Sequence, residues 1–121
     1  MAHILVVDDE VNIAATLALI LQSRGYSVAV AHSGEQALDL AATQPPDMLI
    51  SDVVLPGIDG FELAIKLKDR LPTCGVLLIS GQPATAERIA RAKLAGHHFE
   101  VLGKPVHPSE IIAHVVDCIG P

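Results

Sequence analysis

An open, doubly wound α/β fold is what this sequence predicts, and three observations predict it. Five short runs rich in branched aliphatic residues recur along the 121 residues. Five segments with apolar residues at helical spacing lie between and after them, and Pro, Gly and capping residues mark the boundaries. Strands separated by helices need crossover connections, which are almost always right-handed, so the strands pair in parallel with helices on both faces.

The elements follow in order. "HILVV" (3–7) leads to a first helical segment carrying Ala14, Leu17, Ala18 and Leu21, ended by Gly25. "SVAVA" (27–31) precedes a second with Gly34, Ala37, Leu38 and Ala41, which Ser33 and Gln36 open as a capping box and Pro45-Pro46 stops. "MLIS" (48–51) leads to a third with Gly60, Leu63, Ala64 and Leu67, closed by Pro72. "VLLIS" (76–80) leads to a fourth with Ala86, Ile89, Ala90 and Leu94, ended at Gly96. "FEVL" (99–102) leads to a fifth with Ile112, Val115, Val116 and Ile119, where Pro108 suits the first turn. A closed (β/α)8 barrel needs more units than these, so the sheet is open, and the flavodoxin-like order 2-1-3-4-5 with five helices is expected. The length suits a single domain over residues 1–121.

Half of the residues are apolar, yet Tyr26, Phe61 and Phe99 are the only aromatics, so the core is aliphatic. Eight basic residues against 14 acidic ones give a formal charge of -6, which opposes direct binding of nucleic acid and favours a protein or a cation as partner. Cys74 and Cys118 lack metal-ligand spacing and read as reduced core thiols. The opening apolar stretch is broken by Asp8, Asp9 and Glu10, and no run reaches membrane-spanning length, so a soluble cytoplasmic protein is expected.

In such a sheet, ligands bind beyond the carboxyl ends of the strands, where the strand order reverses. Strand 1 ends in Asp8-Asp9, strand 3 in Asp52, strand 4 in Ser80-Gly81, and strand 5 runs into Lys104-Pro105. Each alone has an ordinary structural role: Asp8 or Asp9 as a helix cap, Ser80 as a strand end, Lys104 as a loop lysine. Together they place three carboxylates on one rim, and at an effective dielectric near 20 a carboxylate pair about 4 Å apart costs about 4 kcal/mol. A cation must neutralise them. An all-oxygen site with room for water suits Mg²⁺, whereas the point charge of Lys104 suits a phosphate oxygen.

The motifs "VVDDE" (6–10), "DVVLPGIDGFEL" (52–63), "LLISG" (77–81) and "KP" (104–105) resemble, along the whole chain, the receiver domain of two-component response regulators. The resemblance implies that Asp52 accepts a phosphoryl group from a sensor histidine kinase, a phosphotransfer protein or a small phosphodonor. It implies that Asp9, Asp52 and the backbone carbonyl of Val54 ligate Mg²⁺, with Asp8 acting through a metal-bound water. Lys104, the Ser80 hydroxyl and the Gly81 N–H would meet the phosphoryl oxygens, and a cis peptide would precede Pro105. Output would pass to an unknown downstream protein through strand 5 and the last two helices, with exposed Arg88, Arg91 and Lys93 as candidate contributors. Such a domain is not an enzyme beyond its own phosphorylation and slow dephosphorylation. A degenerate receiver, docking proteins without phosphorylation, is the alternative.

Departures from the pattern are specific. The family's aromatic three positions before the lysine is Val101 here, and either Phe99 substitutes for it or that coupling is absent. Val54, two after Asp52, is apolar and cannot position a hydrolytic water, while Gln82 is polar and uncharged. A flavodoxin-like cofactor binder is disfavoured because Asp8, Asp9 and Glu10 repel a phosphate. A hydrolase with an aspartyl-phosphate intermediate lacks its second acid, again at Val54. His97-His98 has no third ligand at a fixed spacing and reads as a solvated surface pair. His3 begins a strand and His107 enters a helix.

Overall fold

A computed structural model describes residues 2–81, 89, 90, 93, 96 and 99–120. The strands are β1 (His3–Val7), β2 (Ser27–Ala31), β3 (Met48–Asp52), β4 (Gly75–Ser80) and β5 (Glu100–Gly103). The helices are α1 (Val11–Ser23), α2 (Gly34–Thr43), α3 (Gly60–Arg70) and α4 (Pro108–Ile119). All strand pairs are parallel, in the order β2-β1-β3-β4-β5, as the alternation predicts. The chain order reverses between β1 and β3, so the carboxyl ends of these two strands border the crevice.

Two aliphatic cores lie on opposite faces of the sheet. On one face Leu5, Val7 and Leu49 pack with Ala37 and Ala41 of α2 and with Leu63 and Leu67 of α3. On the other, Ile4, Val6, Ile50 and Leu77 pack with Ala14 and Leu21 of α1 and with Ile111 and Val115 of α4. Every residue of the central strand β3 is buried. Burying a Leu, Ile or Val side chain contributes about 1.5–3 kcal/mol, so a strand enclosed on both faces is a rigid mount for whatever its end carries.

Helix ends follow local chemistry. Ser33 Oγ accepts the Gln36 N–H at 3.1 Å, but the Gln36 side chain returns to the His32 N–H, one residue before the cap, at 2.8 Å. Asp59 caps α3 by accepting the Glu62 N–H at 2.9 Å. Pro108 is in the first turn of α4, behind His107 as N-cap. At Gly60 a Cβ would strike the Asp52 carbonyl and lie 2.9 Å from Val53 Cα, so only glycine lets α3 begin against the end of β3.

Some expectations are corrected. β5 begins at Glu100 rather than Phe99 and runs to Gly103, because its register sets Leu77 against Glu100 and Ser80 against Gly103. The inward face of α4 is Ile111 and Val115, while Val116 is 39% exposed. Cys74 is buried, but Cys118 lies on the last turn of α4 and is exposed, so only one thiol belongs to the core. Four helices are described rather than five. Of the fourth expected segment Ile89, Ala90 and Lys93 are helical, and Ala86, Arg88, Arg91 and Leu94 lie outside the described residues, as do Gln82, His97 and His98. Among the described residues, no helix is long and apolar enough to cross a membrane.

Candidate functional site

The carboxyl ends of β1 and β3 bring Asp8, Asp9 and Asp52 together: one carboxylate oxygen from each lies within 4.8 Å of the others. Asp52 is the last residue of β3 and 7% exposed, Asp8 follows β1 and is 8% exposed, and Asp9 faces solvent. Asp8 is held on both sides. Its N–H donates to the Ala31 carbonyl at 3.1 Å, and its Oδ1 accepts the Glu10 N–H at 2.9 Å.

Lys104 reaches this cluster from beyond β5, its Nζ donating to Asp52 Oδ2 at 2.9 Å. The Lys104 N–H donates to the Ser80 carbonyl at 2.8 Å, which ties the loop after β5 to the end of β4. The Lys104-Pro105 peptide is cis. Ser80 is buried, and Gly81 lies beside the Lys104 stem, where a Cβ would sit 3.7 Å from both Lys104 Cβ and Cδ. Asp52 Oδ1 accepts the Val54 N–H at a long 3.4 Å, and the Val54 side chain is 49% exposed at the rim. All the site residues expected from the sequence therefore lie at one end of the sheet.

The electrostatics are those of crowded negative charge. Burial raises the Asp8 carboxyl above the ordinary aspartate value; the Glu10 N–H and Lys104 oppose this, and the charges of Asp52 and Asp9 add to it. Burial alone would lower the Lys104 ammonium, but the hydrogen bond and charge of Asp52, with Asp8 and Glu10, hold it above the ordinary lysine value. Among the described residues, one ammonium faces three carboxylates. Their oxygen-only donor set fits a hard divalent cation, which would relieve the repulsion among them.

A cleft of about 790 Å³ is lined by Asp8, Asp52 and Lys104 of the rim together with Ile13 and Leu17 of α1 and Ile111 of α4. Two neighbours of the site escaped the sequence reading. His32, just after β2, places Nδ1 3.0 Å from the Asp8 carbonyl oxygen. Glu35, in the first turn of α2, accepts the Ile58 N–H from the loop after β3 at 3.4 Å. The only signal for His32 was its place between a strand end and a helix cap.

Comparison with known proteins agrees with this architecture. The model of the family described as "Response regulator receiver domain" matches residues 4–116. The response regulator MprA of Mycobacterium avium is 34% identical over 113 residues, covering 93% of this chain and 49% of the relative. The alkaline phosphatase synthesis transcriptional regulatory protein PhoP of Bacillus subtilis is 34% identical over 112 residues, covering 93% and 46%. The chain thus spans about half the length of the curated relatives it matches. Among solved structures, a putative response regulator from Chloroflexus aurantiacus is 34% identical with a TM-score of 0.83, covering 99% of this chain and 98% of that one. The chemotaxis protein CheY4 of Vibrio cholerae is 27% identical with a TM-score of 0.85, covering 98% and 99%. The chain belongs to the response regulator receiver domain family.

Proposed function

We propose that Asp52 is a phosphoacceptor. Its carboxylate attacks the phosphorus of a phosphohistidine on a sensor histidine kinase or phosphotransfer protein, or of a small phosphodonor. From phosphohistidine, an O–P bond forms as the P–N bond breaks and the electron pair leaves with the imidazole; from acetyl phosphate, a P–O bond breaks and acetate leaves, and in both cases Asp52 becomes an acyl phosphate. The observation that carries this reading is the placement of Asp52 at the end of a buried strand, 2.9 Å from Lys104 and beside Asp8 and Asp9.

Phosphoryl transfer asks a protein chiefly for alignment and for neutralisation of charge on the equatorial oxygens. Asp9, Asp52 and the backbone carbonyl of Val54 would hold Mg²⁺, with Asp8 acting through a bound water. Mg²⁺ would supply part of that neutralisation. Lys104 leaves the Asp52 carboxylate for a phosphoryl oxygen, while Ser80 donates its hydroxyl and Gly81 its N–H. The free energy of these contacts shifts the surface of β5, α4 and the fourth helical segment toward a partner-binding form, a coupling of typically about 1–3 kcal/mol. The domain turns over no substrate. Apolar Val54 orients no attacking water, so the acyl phosphate persists.

We take residues 1–121 as one receiver unit, a reading supported by the Ser27 N–H donating to the Ala2 carbonyl at 2.9 Å and the Tyr26 hydroxyl donating to the Gly120 carbonyl at 2.7 Å, at and just before the start of β2. A net charge of -6 supports signalling through protein partners, without direct contact between this domain and nucleic acid, and the role we propose is a cytoplasmic one. The test is incubation with acetyl phosphate and Mg²⁺ followed by intact mass measurement of the chain and of Asp52→Asn. One phosphoryl adduct on the first and none on the second is expected. No adduct on the first, or equal adducts, removes the assignment of Asp52 as phosphoacceptor.

A further inference from the structure

We infer that His32 is a positioning residue for the metal-binding acidic turn, acting through the Asp8 backbone rather than on any ligand; this rests on the Mg²⁺ reading above. The β1–β2 ladder runs in register from His3 with Ser27 to Val7 with Ala31, and it extends one bond further as the Asp8 N–H donates to Ala31. The next rung of a parallel ladder would be a backbone N–H from residue 33 to the Asp8 carbonyl. Ser33 is instead the N-cap of α2, and the chain has already turned away. The His32 imidazole takes that place, with Nδ1 3.0 Å from the Asp8 oxygen.

A carbonyl oxygen only accepts, so Nδ1 carries the hydrogen. The bond is braced from behind, because the His32 N–H donates to Gln36 Oε1 at 2.8 Å and Gln36 is fixed by the cap of α2. Asp8 is thereby anchored at its N–H, its carbonyl and its carboxylate, the last through the Glu10 N–H. Asp9 is the next residue along this pinned segment. Without the imidazole, the Asp8–Asp9 peptide has one buried-side acceptor unmatched and a wider range of orientations. Ordering that peptide must then accompany metal binding.

Calorimetric titration of the unphosphorylated protein with Mg²⁺ tests this, using His32→Ala and His32→Asn. The asparagine amide nitrogen stands as far along the side chain as Nδ1 and can donate to the same carbonyl. Loss of one hydrogen bond of ordinary net strength corresponds to about five-fold in affinity. His32→Ala is expected to weaken Mg²⁺ binding about five-fold, and His32→Asn to restore it to within about two-fold of wild type. An Ala variant that binds like wild type overturns the inference, as does an Asn variant weakened as much as Ala. Wild-type protein that binds no Mg²⁺ overturns the site reading as well, which separates the two failures.

Discussion

Lys104 Nζ and Asp52 Oδ2 meet at 2.9 Å across 52 positions of sequence, joining the loop after β5 to the end of β3. The pair is asymmetric: the Lys104 side chain is 35% exposed and that of Asp52 8%. Solvent screens the ammonium, so the pair contributes less than a fully buried one, while removing Lys104 leaves Asp52 enclosed beside two like charges. Lys104→Met is expected to lose on the order of 1 kcal/mol in urea denaturation and at least about ten-fold in the rate of phosphorylation by acetyl phosphate.

Asp8 gives the opposite sign. Its carboxyl is held above the ordinary value by burial and by the charges of Asp52 and Asp9, so its ionised form opposes folding. Asp8→Asn is expected to stabilise the metal-free protein by on the order of 1 kcal/mol. Mg²⁺ at roughly 100 times Kd is expected to stabilise wild type by about 2.7 kcal/mol, and the same variant should lose most of that rise in Tm. Thermal scans with and without Mg²⁺ check both halves.

Stability at alkaline pH follows from Cys74 and Lys104. Burial pushes the Cys74 thiol from 9.0 up to about 11, and Lys104 also lies above its ordinary 10.5. Both groups bind their proton more tightly in the folded state. Their stabilisation is therefore complete below the unfolded values and is lost as pH rises through the folded ones. Urea midpoints should fall between pH 9 and about 11, and Cys74→Val should flatten that fall. At pH 8, iodoacetamide should label exposed Cys118 and spare Cys74 until the protein unfolds.

Gly60 fixes where α3 starts. A Cβ there strikes the Asp52 carbonyl and lies 2.9 Å from Val53 Cα, backbone that cannot give way without moving Asp52. Gly60→Ala is expected to cost about 1–3 kcal/mol by denaturant titration, despite alanine's better helix propensity.

Most of the fold was legible because buried parallel strands concentrate branched aliphatics, and Gly25, Pro45 and Pro72 fall where the helices stop. The clustering of Asp8, Asp9, Asp52 and Lys104 was legible because each ends or closely follows a strand at the carboxyl edge of the sheet. Other features depend on tertiary register. The inward face of α4 is Ile111 and Val115 rather than Ile112 and Val116, two stripes that an apolar helix presents almost equally well. Exposure of Cys118 follows from that phase. His32 carries no motif at all, since its partner is a backbone carbonyl 24 positions away that pairing of β1 with β2 brings beside it.

The most direct test of the phosphoacceptor assignment is chemical trapping. Protein phosphorylated with acetyl phosphate and Mg²⁺ is reduced with borohydride, which converts an aspartyl phosphate to homoserine, and the peptides are sequenced by mass spectrometry. Homoserine at position 52 alone is the predicted result. Homoserine at position 8 or 9, or none anywhere in phosphorylated protein, would contradict it.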